Sequence, residues 1–162
     1  MIFRNLTKSE FQSVKSIYQQ GIDTSQATFE QTSKGWDEWD KSYMNSCRLV
    51  ALMGNKVIGW AALSPVSSRC VYIGRAEVSI YIKDNCRGSG VGSSLLGELI
   101  KSSEDNGIWT LESSIFPQNK ASLAIHKNNG FNVVGVRKKI GKMNGIWRDL
   151  VFMERRSTIV GV

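Results

Sequence analysis

The chain has 162 residues, 41% hydrophobic and 22% charged, the balance of a soluble globular domain long enough to bury a core. Three cysteines without a Cys-x-x-Cys spacing and a single histidine exclude a disulfide framework and argue against a zinc site, so no metal and a reducing, cytoplasmic setting are expected. No apolar run reaches membrane-spanning length, and Met1-Ile2-Phe3-Arg4 lacks the layout of a signal peptide; the net charge of +7, clustered only at Arg137-Lys138-Lys139 and Lys142, fits a small phosphorylated partner better than nucleic acid.

Ile2 to Asn5 reads as a short first strand. Thr7-Lys8-Ser9-Glu10 has the form of a capping box, and Phe11, Val14, Ile17 and Tyr18 line one helix face until Gly21 stops it. Ser25 to Glu30 reads as loop. Trp36, Trp39 and Tyr43 follow at helical spacing, and we read them as core rather than as the floor of a pocket. Arg48 to Met53 and Lys56 to Ser64 are strands joined by a hairpin turn at Gly54-Asn55. A polar loop with Arg69 and Tyr72 leads to a strand over Glu77 to Ile82.

Arg87-Gly88-Ser89-Gly90-Val91-Gly92 comes next, ahead of a helix whose stripe is Val91, Leu95, Leu96, Leu99 and Ile100. Asn106-Gly107 ends that helix. Thr110 to Ile115 is a strand, Lys120 to Asn128 a helix closed by Gly130, and Asn132 to Lys142 pairs with Ile146 to Glu154 around Asn144-Gly145. This order predicts an α/β (α+β) domain over residues 1–156, a mixed, mostly antiparallel central sheet flanked by helices on both faces, with 157–162 as a tail.

Three glycines let the turn approach a ligand closely, and the first amides of the helix point outward at the positive end of its dipole. A phosphate or pyrophosphate suits such a turn, and Arg87 adds positive charge at its mouth. It is not a P-loop, because Ser93 rather than lysine follows Gly92. It is not a dinucleotide fingerprint either, because the position three after Gly90 is Ser93.

The pattern Arg87-x-x-Gly90-x-Gly92 between a strand and a helix resembles the acetyl-coenzyme A pyrophosphate loop of the GNAT N-acetyltransferase superfamily. The predicted element order is also that of the GNAT fold, so the resemblance spans the chain. A second match is Asn119 to His126 followed by Gly130-Phe131, where the superfamily has an asparagine at the pantetheine and a tyrosine or histidine seven residues on, near the thiol. Gly21-Ile22 to Thr28-Phe29-Glu30, Arg69 to Ile82, Leu123 to Phe131, and Trp147-Arg148-Asp149-Leu150 with its Trp-x-Asp signature resemble the phosphinothricin-type acetyltransferases. That group acetylates the α-amine of amino acids and of glutamate-like analogues such as phosphinothricin and methionine sulfoximine. Lys127-Asn128-Asn129 departs from the more apolar helix end usual there.

The resemblance implies acetyl-CoA as cosubstrate, with Arg87, Gly88, Ser89, Gly90, Val91, Gly92 and Ser93 at its pyrophosphate. Ile80, Tyr81 and Ile82 would pair with its peptide-like arm, and Asn119 and Asn128 would contact it. Glu77 would be the general base and His126 would protonate or hold the leaving thiolate. Phe29, Arg69, Tyr72, Glu77, Val78 and Ser79 would surround the substrate, with Arg69 and Tyr72 holding its carboxylate. A plain structural alternative for Glu77 is an ion pair with Arg75 or Arg69. Direct transfer needs no covalent nucleophile, so neither Cys86 nor Ser89 is required as one. The resemblance also implies a homodimer. Acetylation of another amine, and a non-catalytic coenzyme A sensor, remain open at this point.

Overall fold

In the computed structural model, which describes residues 1–162, the chain runs β1 (Ile2–Asn5), α1 (Phe11–Asp23), α2 (Trp36–Ser42), β2 (Arg48–Met53), β3 (Lys56–Pro65), β4 (Arg75–Ile82), α3 (Val91–Asp105), β5 (Thr110–Ile115), α4 (Lys120–Asn128), β6 (Asn132–Met143) and β7 (Ile146–Arg156). The seven strands form one sheet in the order β1-β2-β3-β4-β5-β7-β6, in which only β4 and β5 are parallel neighbours. Alternation along the strands divides the core in two. On β3, Ala61 and Leu63 join Leu95, Leu96 and Leu99 of α3, while Trp60 and Ala62 join Val14 and Ile17 of α1 and Trp39 of α2. No helix is long and apolar enough to cross a membrane.

Three local expectations need correction. The Thr7 amide does donate to Glu10 Oε2 at 2.9 Å, but the first turn, Lys8–Glu10, is a 3-10 turn and α1 begins at Phe11. Gly21 does not stop α1, which continues to Asp23; a Cβ there would lie 2.6 Å from Tyr81 Cδ1, so glycine lets α1 press onto β4. The tail is folded back: the Ser157 amide donates to the Trp109 carbonyl at 2.8 Å, Ser157 Oγ donates to Glu104 Oε1 at 2.8 Å, and the Arg156 guanidinium donates to the Val160 and Gly161 carbonyls.

The feature that positions a site is where β4 and β5 part. They pair only as Arg75–Thr110, Ala76–Leu111 and Glu77–Glu112. Beyond that point β4 keeps β3 and β5 keeps β7, so the Val78–Ile82 edge of β4 has no strand beside it. The loop between α1 and α2 closes over this opening. Arg148 of β7 donates to the Ser25 carbonyl at 3.0 Å and to Gln26 Oε1 at 2.9 Å, with its guanidinium 4.1 Å from the Phe116 ring centroid. Asn119 Nδ2 donates to the Gln26 carbonyl at 3.2 Å.

Two outcomes follow from this packing. Gly21→Ala overpacks the α1–β4 contact and should cost about 1–3 kcal/mol, read as a melting-temperature drop of about 3 °C or more; an unchanged melting point would mean that α1 is not pressed onto Tyr81. Arg148→Ala should leave the melting point nearly unchanged while amides 24–30 exchange hydrogen markedly faster, whereas unaltered exchange there would show that Arg148 does not tether the loop.

Candidate active site

The parting of β4 and β5 opens a cavity of about 750 Å³. Its walls are β4 from Glu77 to Ile82, β5 from Ser113 to Ile115, the N-terminal side of α4, and the α1–α2 loop. Glu77, Val78, Ser79, Ile80, Tyr81, Ile82, Arg87, Gly88, Gly92, Asn119, His126 and Phe29 all line it. Segments far apart in sequence thus meet around one space.

The glycine turn sits at one end. Gly88 and Gly90 have φ of +75° and +85°, left-handed values that a side chain would strain, and Gly90 is the N-cap of α3. No carbonyl or side chain of the protein accepts a hydrogen bond from the amides of residues 88–93. Together with the start of a 15-residue helix they form a cradle suited to an anionic group. Arg87 lines the cavity, but its guanidinium is held by Asp84 Oδ1 at 2.7 Å and by the Ile82 carbonyl at 3.2 Å. Ser89, Gly90, Val91 and Ser93 build the turn without reaching the cavity wall. Gly92 has a packing reason as well, since a Cβ would meet Ile125 Cδ1 at 2.8 Å and push α3 from α4.

Glu77 lies where the two strands part. Its side chain is open to solvent through the cleft, yet protein crowds the carboxyl from the sides. Desolvation, and then the neighbouring Glu112 carboxylate, push its pKa above the ordinary carboxylate value, with Arg137 pulling the other way. Glu77 makes no ion pair; Arg75 bridges Glu112 instead, its Nη2 lying 2.6 Å from Glu112 Oε1.

His126 is buried on α4, edge-on to Phe131. Its Nδ1 lies 2.8 Å from the Ser122 carbonyl, which can only accept, so Nδ1 carries the proton and Nε2 has a free lone pair. Nε2 has no partner. Burial lowers the pKa, opposed by the bond to Ser122, and the ring is therefore a neutral acceptor. Holding a thiolate from Nε2 would require a proton that this tautomer does not place there.

Asn119 is committed at both ends, its Oδ1 accepting from the Ser122 amide at 3.2 Å while Nδ2 holds the loop. Asn128 is exposed and off the cavity wall. Its neighbour Asn129 fastens α4 to α3, with Nδ2 donating to Ser93 Oγ at 3.0 Å. Arg69 and Tyr72 also lie off the wall: Arg69 is exposed, and the guanidiniums of Arg69 and Arg75 lie 5.5 and 4.6 Å from the Tyr72 ring centroid. Phe29 reaches the wall edge-on to Phe116, its ring fitting where a Cβ at Gly141 would intrude.

Several wall residues were not singled out from sequence. Trp39 is core as expected, but Tyr43 is on the wall, donating from its hydroxyl to Ser79 Oγ at 3.1 Å. Tyr18, which pattern reading gives to the core, stands beside it against Tyr81. Lys34 comes from a loop without a periodic pattern. Only the polar hydroxyl of a tyrosine on an apolar stripe hinted at a second role.

A glycine cradle at a helix start, a free strand edge and two unpaired proton acceptors on one cleft are the furniture of acyl transfer to an amine. Residues 9–131 match the Acetyltransferase (GNAT) family. The Bacillus subtilis protein YwnH is 32% identical over 96% of this chain and 98% of its own length. The L-methionine sulfoximine/L-methionine sulfone acetyltransferase of Pseudomonas aeruginosa is 32% identical over 61% of this chain and 58% of its own. Among solved structures, a GNAT superfamily phosphinothricin acetyltransferase from Sinorhizobium meliloti in complex with AcCoA superposes with a TM-score of 0.87 at 28% identity, covering 99% of this chain and 90% of that one. The chain is a member of the GNAT acetyltransferase family, with that family's fold.

Proposed function

We propose that the protein transfers acetyl from acetyl-CoA to the α-amine of a small amino acid or analogue, of the phosphinothricin or methionine sulfoximine type, by direct attack in a ternary complex. The observation that carries this reading is an unpaired carboxylate, Glu77, on the wall of a cleft between a free strand edge and an amide-lined turn. The pyrophosphate would sit on the amides of residues 88–93, and the pantetheine arm would add to the edge of β4 as a strand does. The relatives named above support the substrate class.

An α-amine with a pKa of about 8 arrives mostly protonated at neutral pH. Glu77 takes its proton, directly or through one water, and the freed lone pair attacks the thioester carbonyl. Amides of the Val78–Ile82 edge are available to the oxyanion. The addition product must then lose a second proton from nitrogen while the departing sulfur gains one. His126 lines the same cavity with a buried, unpartnered Nε2 able to accept, and serves as the carrier of that proton.

Assay of thioester consumption against phosphinothricin, methionine sulfoximine, methionine sulfone, common amino acids, spermidine and an aminoglycoside tests the substrate class. Turnover is expected on the amino-acid analogues; turnover confined to the polyamine or aminoglycoside would refute it. Glu77→Gln should lower kcat by about 10²–10⁴ while acetyl-CoA still binds. Because the base works deprotonated, wild-type kcat should fall as pH drops through a pKa above the usual carboxylate value, and this limb should vanish in the variant. An unaffected rate would assign the base to another group, and no turnover in wild type on any amine would favour a sensor.

A homodimer is part of the same proposal. The terminal hairpin of β6 and β7 exposes Val133, Val134, Val136, Ile140, Ile146 and Trp147, an apolar surface on the edge of the sheet. Light scattering should return twice the 18.1 kDa chain mass; a mass of one chain would remove the dimer.

A further inference from the structure

Glu112 and Arg75 are chemically conspicuous and are not used by the mechanism above. Glu112 is buried and lies directly across from Glu77 in the last parallel register pair before the strands part. In-register neighbours on adjacent strands project to the same face about 5 Å apart, so the two carboxylates share that face. Arg75 is two residues before Glu77 on β4, hence also on that face. It donates from Nε to Glu112 Oε1 at 2.7 Å, with Nη2 at 2.6 Å from the same oxygen, and its guanidinium stacks on Tyr72. Neither side chain lines the cavity, so neither touches a substrate.

We infer that the Arg75–Glu112 pair sets the proton affinity of Glu77, with Arg75 limiting how strongly the buried Glu112 charge acts on the base. This deepens the proposed acetyl transfer and rests on Glu77 being its general base. In the step concerned, an N–H bond of the substrate ammonium breaks and an O–H bond forms on Glu77, so that ammonium and carboxylate become amine and carboxylic acid. A carboxylate beside Glu77 favours the product side of that transfer, and an unshielded guanidinium opposes it. The other charged or titratable groups around Glu77 are Arg137 of β6, stacked on Phe152, Glu154 of β7 in register beyond Glu112, Tyr43 at the end of α2, and Glu30 and Lys34 of the covering loop. Only Glu112 adjoins Glu77 on the neighbouring strand, and only Arg75 neutralises Glu112.

The pair therefore acts through position, and its removal has a sign that depends on which half is lost. Glu112→Gln leaves Arg75 uncompensated, and the acid limb of kcat should move down by about one pH unit. Arg75→Gln leaves Glu112 uncompensated, and the limb should move up by about as much. The double variant Arg75→Gln/Glu112→Gln should return close to wild type, as should Glu112→Asp, which keeps the charge. Carbon-13 NMR titration of the Glu77 carboxyl in the substrate-free protein should give the same ordering without any assay. If one single variant does not fold, the other still carries a shift of predicted sign, read against wild type and against the double variant.

Limbs and titrations that stay put, or that move the same way in both single variants, would overturn the inference and leave the pair a clasp between β4 and β5. The control is Glu77→Gln. If that variant keeps the wild-type acid limb, the general-base reading itself is wrong; if it loses the limb while the single variants do not shift theirs, only the tuning role falls.

Discussion

Parallel pairing of β4 with β5 ends at Glu77 and Glu112, and the rest of the molecule is arranged around that break. Each strand keeps one full neighbour, β3 or β7, so the sheet remains continuous while one edge inside it is free. Unpaired backbone groups are tolerable there because the cleft is open to water until something displaces it. The same break places a carboxylate at the narrow end of the cleft, where the last register pair still holds the strands together. The position of the candidate site and the strand topology are one fact.

The positive balance of the chain is not what prepares this cleft for an anion. Among the wall residues only Lys34 and Arg87 are cationic, against Glu30 and Glu77, and Arg87 is already paired with Asp84. The basic run at Arg137 to Lys139 is partly spent on fold, since Lys138 Nζ pairs with Asp149 Oδ2 at 3.3 Å and the Arg137 guanidinium lies over the Phe152 ring. What remains for a phosphate is geometry: glycines at positive φ and the unpaired amides at the start of α3. A site of this kind responds less to salt than a lysine patch, because dipoles at contact distance are screened little.

Periodicity and turn chemistry made most of the fold legible. Asn144-Gly145 and Gly54-Asn55 fixed two hairpins, and the stripe from Val91 to Ile100 fixed the helix that carries the turn. Gly21 misled because a glycine in a helical stretch signals either an end or a close approach, and only the partner, Tyr81, decides between them. At the site, the glycine turn stood out through its pattern, while Glu77 and His126 were singled out by the family resemblance. Lys34, Tyr43 and Arg148 did not, because their places depend on how a non-periodic loop folds over the sheet. Arg69 and Tyr72 illustrate the converse, since a motif fixes which residues are neighbours in sequence but not whether they face the cavity. The Arg75–Glu112 bridge was equally hidden: pairing Glu112 with Glu77 requires knowing that two strands separated by a helix are parallel neighbours in that register.

The two proton acceptors of the cleft are shifted toward each other by the same cause. Burial disfavours the charged form of both, which raises the carboxylic acid Glu77 and lowers the imidazolium of His126. Their proton affinities thereby move toward one another, which suits the proposed passage of protons from substrate nitrogen to sulfur. Tautomer matters as much as affinity. The Ser122 carbonyl fixes the proton on Nδ1, so Nε2 is empty when substrate arrives and can only receive. In the proposed transfer, that ordering gives Glu77 the first proton, from the incoming ammonium, and His126 the second, released as the new amide forms.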